Sequence, residues 1–437
     1  MTGIGQDPRV RAYLDAVCSK VRAKDRHAEI REELLGHLEE LAEELRAEGM
    51  EEQEAAREAL RRMGDAERVG AGLHLAHRPK PDLWLAAMAG LMLLAGLAYV
   101  YGLQQLYELP SVVESSLGLG ALGLLPLAAC YYVPLPLLRR WCWLFFGTGA
   151  LLLAATIVHG VRVNGQMQLS IGAGILDSAP IAMLLLFAGA AGIVARPRPA
   201  AADRKSLWLQ AIGEAALLGL IPAVLFLSSS QLARLPLYGA GLIVLVALNR
   251  RWRLALSGVA MLPVFALFLI RRDSFYAWER IANWSSAEDR SRFLYGRALD
   301  AMQSAGWFGQ GLPNGPDPKA PIGSEFLFPF LVYSLGWAFG LLLGALLLLF
   351  IGRCFVQALR VQDPQARALA AALAAVFGVQ TMWSLLLSFG LLPVVGFSLP
   401  FLSWGSPLLG EMAMLGMLLG LIRQRDRRPE AFSSAAG

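Results

Sequence analysis

Ten apolar runs constrain this 437-residue chain more than any other feature, because each approaches the roughly 20 residues a helix needs to cross a bilayer. They lie near 83–103, 117–137, 141–161, 171–195, 207–228, 232–248, 254–270, 326–352, 368–391 and 399–422. Hydrocarbon offers no water to backbone N–H and C=O groups, so spanning segments must satisfy those groups internally, as helices do. The expected fold class is therefore all-α, a polytopic membrane protein with about ten transmembrane helices. A composition of 56% hydrophobic and 17% charged residues agrees with it. The opening "MTGIGQDPRVRAYLD" is polar where a signal peptide would be apolar, so the internal segments are expected to bring the chain into the membrane.

Residues 1–80 differ sharply, holding 14 of the 39 basic and 17 of the 34 acidic residues. Val10, Tyr13, Leu14, Val17 and Val21 recur at helical spacing, as do Ile30, Leu34, Leu38, Leu41 and Leu45. Gly49 and Gly64 fall where helix C-caps are expected. The pattern predicts three or four short amphipathic helices. "EIREELLGHLEELAEELRAEGMEEQEAAREALRRMGD" resembles the small helical permease prefix, or HAAS, domain found ahead of bacterial permeases. His37 follows Glu33 by one helical turn, a spacing that can hold a metal, but no third ligand accompanies them and a solvated face is the expectation. His27, His74 and His77 are read the same way.

The basic loops set orientation. "LRRW", "RPRPAAADRKS", "NRRWR", "RCFVQALRVQDPQAR" and "RQRDRR" alternate with loops poor in Lys and Arg, which places them, and both termini, in the cytoplasm. Domains follow as 1–80 cytoplasmic, 81–428 membrane and 429–437 a cytoplasmic tail. The excess of basic residues belongs to these loops, so nucleic acid is not an expected partner. Cys18, Cys130, Cys142 and Cys354 lie far apart, with no CxxC spacing, which argues against a disulfide framework or a zinc site.

Residues 271–325 form a long extracytoplasmic loop bearing Arg271, Arg272, Arg280, Arg290, Arg292, Arg297 and Lys319. Such loops are exempt from the charge rule and uncommon without a role. Guanidinium groups can grip a diphosphate bidentately, which makes Arg280, Arg292, Arg297 and Lys319 candidates. The interspersed Asp273, Glu279, Glu288, Asp289 and Asp300 offer the alternative of local neutralisation.

Three stretches carry a resemblance: "SAGWFGQGL" (304–312), "SEFLF" with "LGW" (324–328 and 335–337), and "GLLPVVGFSLPFLSWGSPLL" (390–409). They are similar to the SEDS family of bacterial cell-wall proteins, the RodA, FtsW and sporulation group. The corresponding patterns there are SGG-x-x-G-x-G-L, TDFIF followed by GEELG, and GLLPVTG-x-LPF-x-SYGGSSL. Gln380 stands four residues before Ser384 and ten before Gly390, matching the family's Gln and Asn. The resemblance implies an inverting glycosyltransferase that polymerises lipid II on the outer membrane face, paired with a class B penicillin-binding protein. Glu325 takes the position of the family's catalytic aspartate. Gln380, Ser384, Ser403 and Glu411 become candidates to line the central cavity, and no cofactor is expected.

The departures lie at polar positions. Pro321, Gly323, Tyr333 and Ser334 stand where the family has glutamate, histidine and a glutamate pair; Ser384 replaces asparagine, and "LFLSSSQL" (225–232) replaces QPDLG. A glutamate places its carboxylate about 1.5 Å further out than an aspartate, and a misplacement of about 1 Å can cost on the order of a hundredfold in rate. Glu325 therefore has two readings, general base or first-turn carboxylate favoured by the helix dipole, with Ser324 as N-cap. Within the spans, Glu411 is expected to pair with another helix, Glu214 and Asp177 to reach a nearby interface, and His159 to be interfacial. Three functions remain: a working glycosyltransferase, a degenerate relative that binds lipid-linked precursor or acts as a scaffold with a cytoplasmic partner for residues 1–80, and a transporter component.

Overall fold

The computed structural model describes residues 7–21, 27–76, 82–107, 112–163, 165–172, 174–196, 204–271, 290–312, 324–394, 396–402 and 405–423, with the backbone alone at 28–29, 74–76, 204, 263–271, 290–295 and 324. They cluster into two compact units, one within Met1–Lys80 and one spanning Pro81–Arg423.

The first unit is four helices: α1 (Pro8–Lys20), α2 (His27–Ala47), α3 (Glu52–Met63) and α4 (Ala66–Ala76). Asp7 caps α1 by accepting from the Arg9 N–H, with Pro8 opening the helix. α2 closes on Gly49, and the Met50 N–H reaches back to the Leu45 carbonyl, so the last turn is satisfied. The expected apolar stripes meet in one core of Val10, Leu14, Val17, Ile30, Leu34, Leu38, Leu45 and Ala59. Leu38 is fully buried there, so Leu38→Ala is expected to cost about 2–5 kcal/mol of this unit's stability, read as faster proteolysis within residues 1–80. His37 meets Glu40 at 3.5 Å.

Each of the ten expected runs in the second unit contains a helix. These are α5 (Leu83–Tyr107), α6 (Val112–Tyr131), α8 (Cys142–His159), α9 (Ala179–Val194), α10 with α11 (Arg204–Ala215 and Ile221–Ser228), α12 (Arg234–Leu248), α13 (Trp252–Arg271), α15 (Leu327–Leu359), α16 (Pro364–Ser388) and α17 (Pro407–Arg423). Short α7 (Leu135–Arg140) and α14 (Arg290–Ser304) are the other α-helices among this unit's described residues. Among the described residues, six helical runs are long and apolar enough to cross a membrane on length and composition alone. Small residues let the backbones approach: a Cβ on Gly416 or Gly420 of α17 would strike the Leu127 or Tyr131 carbonyl of α6, at 2.1 and 2.5 Å.

α10 and α11 join through a π-helical turn, Ala216–Leu220. Pro222 has no N–H to give the Leu218 carbonyl four residues back, and the Tyr238 hydroxyl donates to that carbonyl instead at 2.7 Å. Glu214 lies just before this turn, about 14 Å from the start of the Lys205–Ser228 span at 1.5 Å per residue.

Several arginines of the basic loops bind other segments. Arg353 holds Asp82 at 3.0 Å, Arg139 pairs with Asp363 and bonds Gln365, and Arg251 donates to the carbonyls of Val194 and Arg196. One feature was not expected. A three-stranded antiparallel sheet, β1 (Gly160–Val163), β2 (Gln166–Ile171) and β3 (Gly174–Leu176), occupies the α8–α9 connection, so the fourth span begins at Ala179 rather than near 171. The tenth likewise begins at Pro407, because 396–402 and 405–406 are irregular.

Candidate active site

Two of the motif stretches meet at a break in α15. Gly336 has φ 87° and ψ 170°, a region essentially closed to other residues. The break deprives the carbonyls of Tyr333 and Ser334 of their helical donors, and the loop after α14 replaces them. Gln310 and Gly311 N–H groups donate to those carbonyls at 2.9 Å each, while the freed N–H groups of Trp337 and Ala338 donate to Gly306 and Trp307 carbonyls at 3.0 and 3.2 Å. The backbones nearly touch: a Cβ on Gly309 would lie 2.3 Å from the Ser334 oxygen, and one on Gly336 2.2 Å from the Trp307 oxygen. "SAGWFGQGL" and "LGW" thus form one backbone-locked corner. Gly336→Ala is expected to cost about 1–3 kcal/mol from the backbone state alone. An unchanged melting temperature in detergent would contradict this account.

Glu325 lies eleven residues before Gly336, half-buried in a 3-10 turn, Ser324–Phe326, that leads into α15. The expected N-cap at Ser324 is not the one observed. α15 itself begins at Leu327, its N-cap is Phe326, and no side chain caps it. Phe326 packs in an apolar cluster with Ala298 of α14, with Leu387 and the partly buried Trp383 of α16, and with Val394. Arg297 is the residue before Ala298 and is half-buried. Glu325 and Arg297 therefore each adjoin a member of one cluster that joins α14, the 3-10 turn and the end of α16. Arg292 is described only as backbone within α14, and Arg280, Lys319 and Ser403 lie outside the described residues.

A buried polar cluster lies at the α16–α17 contact. Glu411 is 1% exposed; its carboxylate accepts from Gln380 Nε2 at 2.9 Å and from the Phe401 N–H at 2.8 Å. Gln380 Nε2 also donates to the Ser398 carbonyl at 3.0 Å, so the two side chains clamp the turn before α17, where Phe401 adopts a left-handed φ of 64°. The expected interhelical pairing of Glu411 is present, with an amide as partner. Ser384 and Ser388 continue the Gln380 face at intervals of four residues, and Ser388 Oγ donates to the Ser384 carbonyl. Among the described residues Gln380 Oε1, Thr381 Oγ1 and Ser384 Oγ have no hydrogen-bond partner, unusual for buried polar groups.

Asp177 does not reach an interface. It is 1% exposed and paired at 2.9 Å with Arg234, while its N–H bonds Ser406 Oγ beside α17. Arg234 was missed, although an arginine at the head of an apolar run signals a partner or a cavity. The "LFLSSSQL" stretch, which lacks the family's carboxylate, holds the sheet: the Ser229 carbonyl accepts from Met167 N–H at 3.1 Å and Gln231 Nε2 donates to the Met167 carbonyl at 2.9 Å.

A multi-pass helical membrane protein with a backbone-locked break in one long helix, a carboxylate at the turn that leads into that helix and a buried polar core is thus the class these features define. The profile of the FtsW/RodA/SpoVE family, described as cell cycle proteins, matches residues 81–427, and the chain belongs to that family. It is 26% identical over 187 residues to a probable peptidoglycan glycosyltransferase FtsW of Caulobacter vibrioides, covering 42% of this chain and 46% of that protein. The chain spans about half the length of the first curated relatives it matches. Its fold is similar to a chain of a peptidoglycan synthase complex, with TM-score 0.63, 23% identity and coverage of 79% and 98% of the two chains. Thermus thermophilus RodA gives TM-score 0.57 at 22% identity, with coverage of 79% and 97%.

Proposed function

We propose that this protein is a peptidoglycan glycosyltransferase that joins lipid II into glycan strands at the outer face of the bacterial cytoplasmic membrane. The acceptor sugar's 4-hydroxyl attacks the anomeric carbon of a second lipid-linked sugar with inversion, and the bond to undecaprenyl diphosphate breaks. Glu325 takes the hydroxyl proton as general base. Arg297, with Arg280, Arg292 and Lys319, offsets the charge that develops on the leaving diphosphate. Both termini face the cytoplasm, where residues 1–80, as a permease-prefix-like domain, bind a partner of their own. A class B penicillin-binding protein is the partner on the outer side. The chemistry as written uses side chains alone and calls on no cofactor.

The observation that carries this reading is the family match over 81–427, supported by a carboxylate at Glu325 and an arginine neighbour that adjoin one apolar cluster. A second reading, a degenerate relative that binds lipid-linked precursor, is favoured by one observation. Tyr333 and Ser334, which stand at the family's glutamate pair, are buried with their carbonyls locked to the loop. Fluorescent lipid II incubated with the purified protein, alone and with a class B penicillin-binding protein, separates the two. A ladder of glycan products is expected; bound but unreacted lipid II in both reactions would favour the second reading.

A further inference from the structure

The loop locked against Gly336 carries two large apolar side chains away from the protein, Trp307 at 67% and Phe308 at 88% exposure. Their position along α15 identifies what covers them. From Phe326 to Ser334 every residue is buried, so this stretch runs through protein. Beyond the break, Leu341, Leu342, Leu348 and Leu349 form an exposed apolar stripe, as a lipid-facing helix presents. The stripe continues through Val356 and Leu359, at 50% and 51% exposure, to the end of α15 at Arg360. Trp337 and Leu359 are 22 residues apart, about 33 Å at 1.5 Å per residue. That is close to the ~30 Å hydrocarbon thickness, so the Gly336 break lies close to one edge of the hydrocarbon and the end of α15 close to the other.

We propose that Trp307 and Phe308 seat the corner in the headgroup–acyl boundary of the bilayer, as an interfacial anchor. Aromatic rings favour that boundary, with an apolar body and, for Trp, an N–H that keeps water or headgroup partners. The surface continues through Phe389, 43% exposed and stacked on Trp337 at 6.4 Å. Four backbone hydrogen bonds fix the loop, so inserting the two rings costs little further ordering of the chain. The anchor thereby sets the depth of α15's break and of the 3-10 turn carrying Glu325, independently of any activity.

The test places a bimane fluorophore on Phe308→Cys, and separately on Trp307→Cys. The background is Cys130→Ala, the other three cysteines being buried. The protein is reconstituted in phosphatidylcholine–phosphatidylglycerol nanodiscs, and quenching is compared for lipids carrying a nitroxide at acyl carbon 5, at carbon 12, and for aqueous iodide. Both side chains are exposed, so neither substitution removes packing, and a wild-type melting temperature shows the fold intact. Quenching by the carbon-5 nitroxide about twofold above the other two quenchers is expected for a ring just inside the boundary. Strongest quenching by iodide would show a water-exposed surface open to a protein partner, and strongest quenching by carbon 12 a hydrocarbon-buried one. Either result overturns the proposal.

Discussion

Glu325→Ala is expected to lower lipid II polymerisation by at least about a hundredfold, the contribution of a positioned general base, with the protein still folded. The carboxylate is half-buried in a turn whose packing is carried by its neighbour Phe326, 2% exposed, so truncating Glu325 removes chemistry more than core. Glu325→Gln should match the alanine variant, because the amide keeps shape and loses basicity. Glu325→Asp separates geometry from charge: it keeps the carboxylate but retracts it by about 1.5 Å, and because a misplacement of about 1 Å can cost on the order of a hundredfold, a loss as large as that of the alanine variant is expected. Polymerisation rates in detergent, normalised to folded protein, decide it. Alanine and wild type with equal rates would remove Glu325 from the mechanism.

Asp177→Ala has the largest expected effect on stability. It leaves Arg234, 9% exposed, with its charge buried and its ion-pair partner gone, a change worth about 3–5 kcal/mol in comparable buried pairs. Replacing both residues by apolar ones of similar volume, Asp177→Leu with Arg234→Met, should recover most of that loss, because breaking a pair costs more than omitting it. The melting temperatures of the single and double variants measure this. A double variant as unstable as the single one would show that the carboxylate's other contact, the Ala179 N–H donated to Asp177 Oδ1 at 3.1 Å, carries the stability.

What the sequence disclosed follows from what periodicity records. Helical stripes placed α1 and α2, and apolar length located a helix in each of the ten runs, since both signals are local. The α15 break was hidden inside a continuous apolar run, 326–352, and only the glycine of "LGW" marked it. The sheet also had a signal: the Asn-Gly dipeptide at 164–165, between "VRV" and "QMQLSI", is a sequence pattern that favours a hairpin. It was absorbed into neighbouring spans because hydropathy averaged over a window does not distinguish an apolar strand from an apolar helix. The Asp177–Arg234 pair spans 57 positions, and the Gln380–Glu411–Phe401 clamp joins three segments. No local pattern specifies such partners. The candidate site was legible as residue identities at motif positions, while its architecture, two motifs fused through four backbone hydrogen bonds, was not.

The measurement that bears most directly on the central claim is the linkage of the product. Purified protein is incubated with lipid II and a class B penicillin-binding protein whose own transpeptidase is blocked, and the product is digested with a β-1,4-muramidase. An inverting polymerase predicts a glycan ladder that collapses to disaccharide units. No polymer, or a polymer that resists the muramidase, would contradict the assignment.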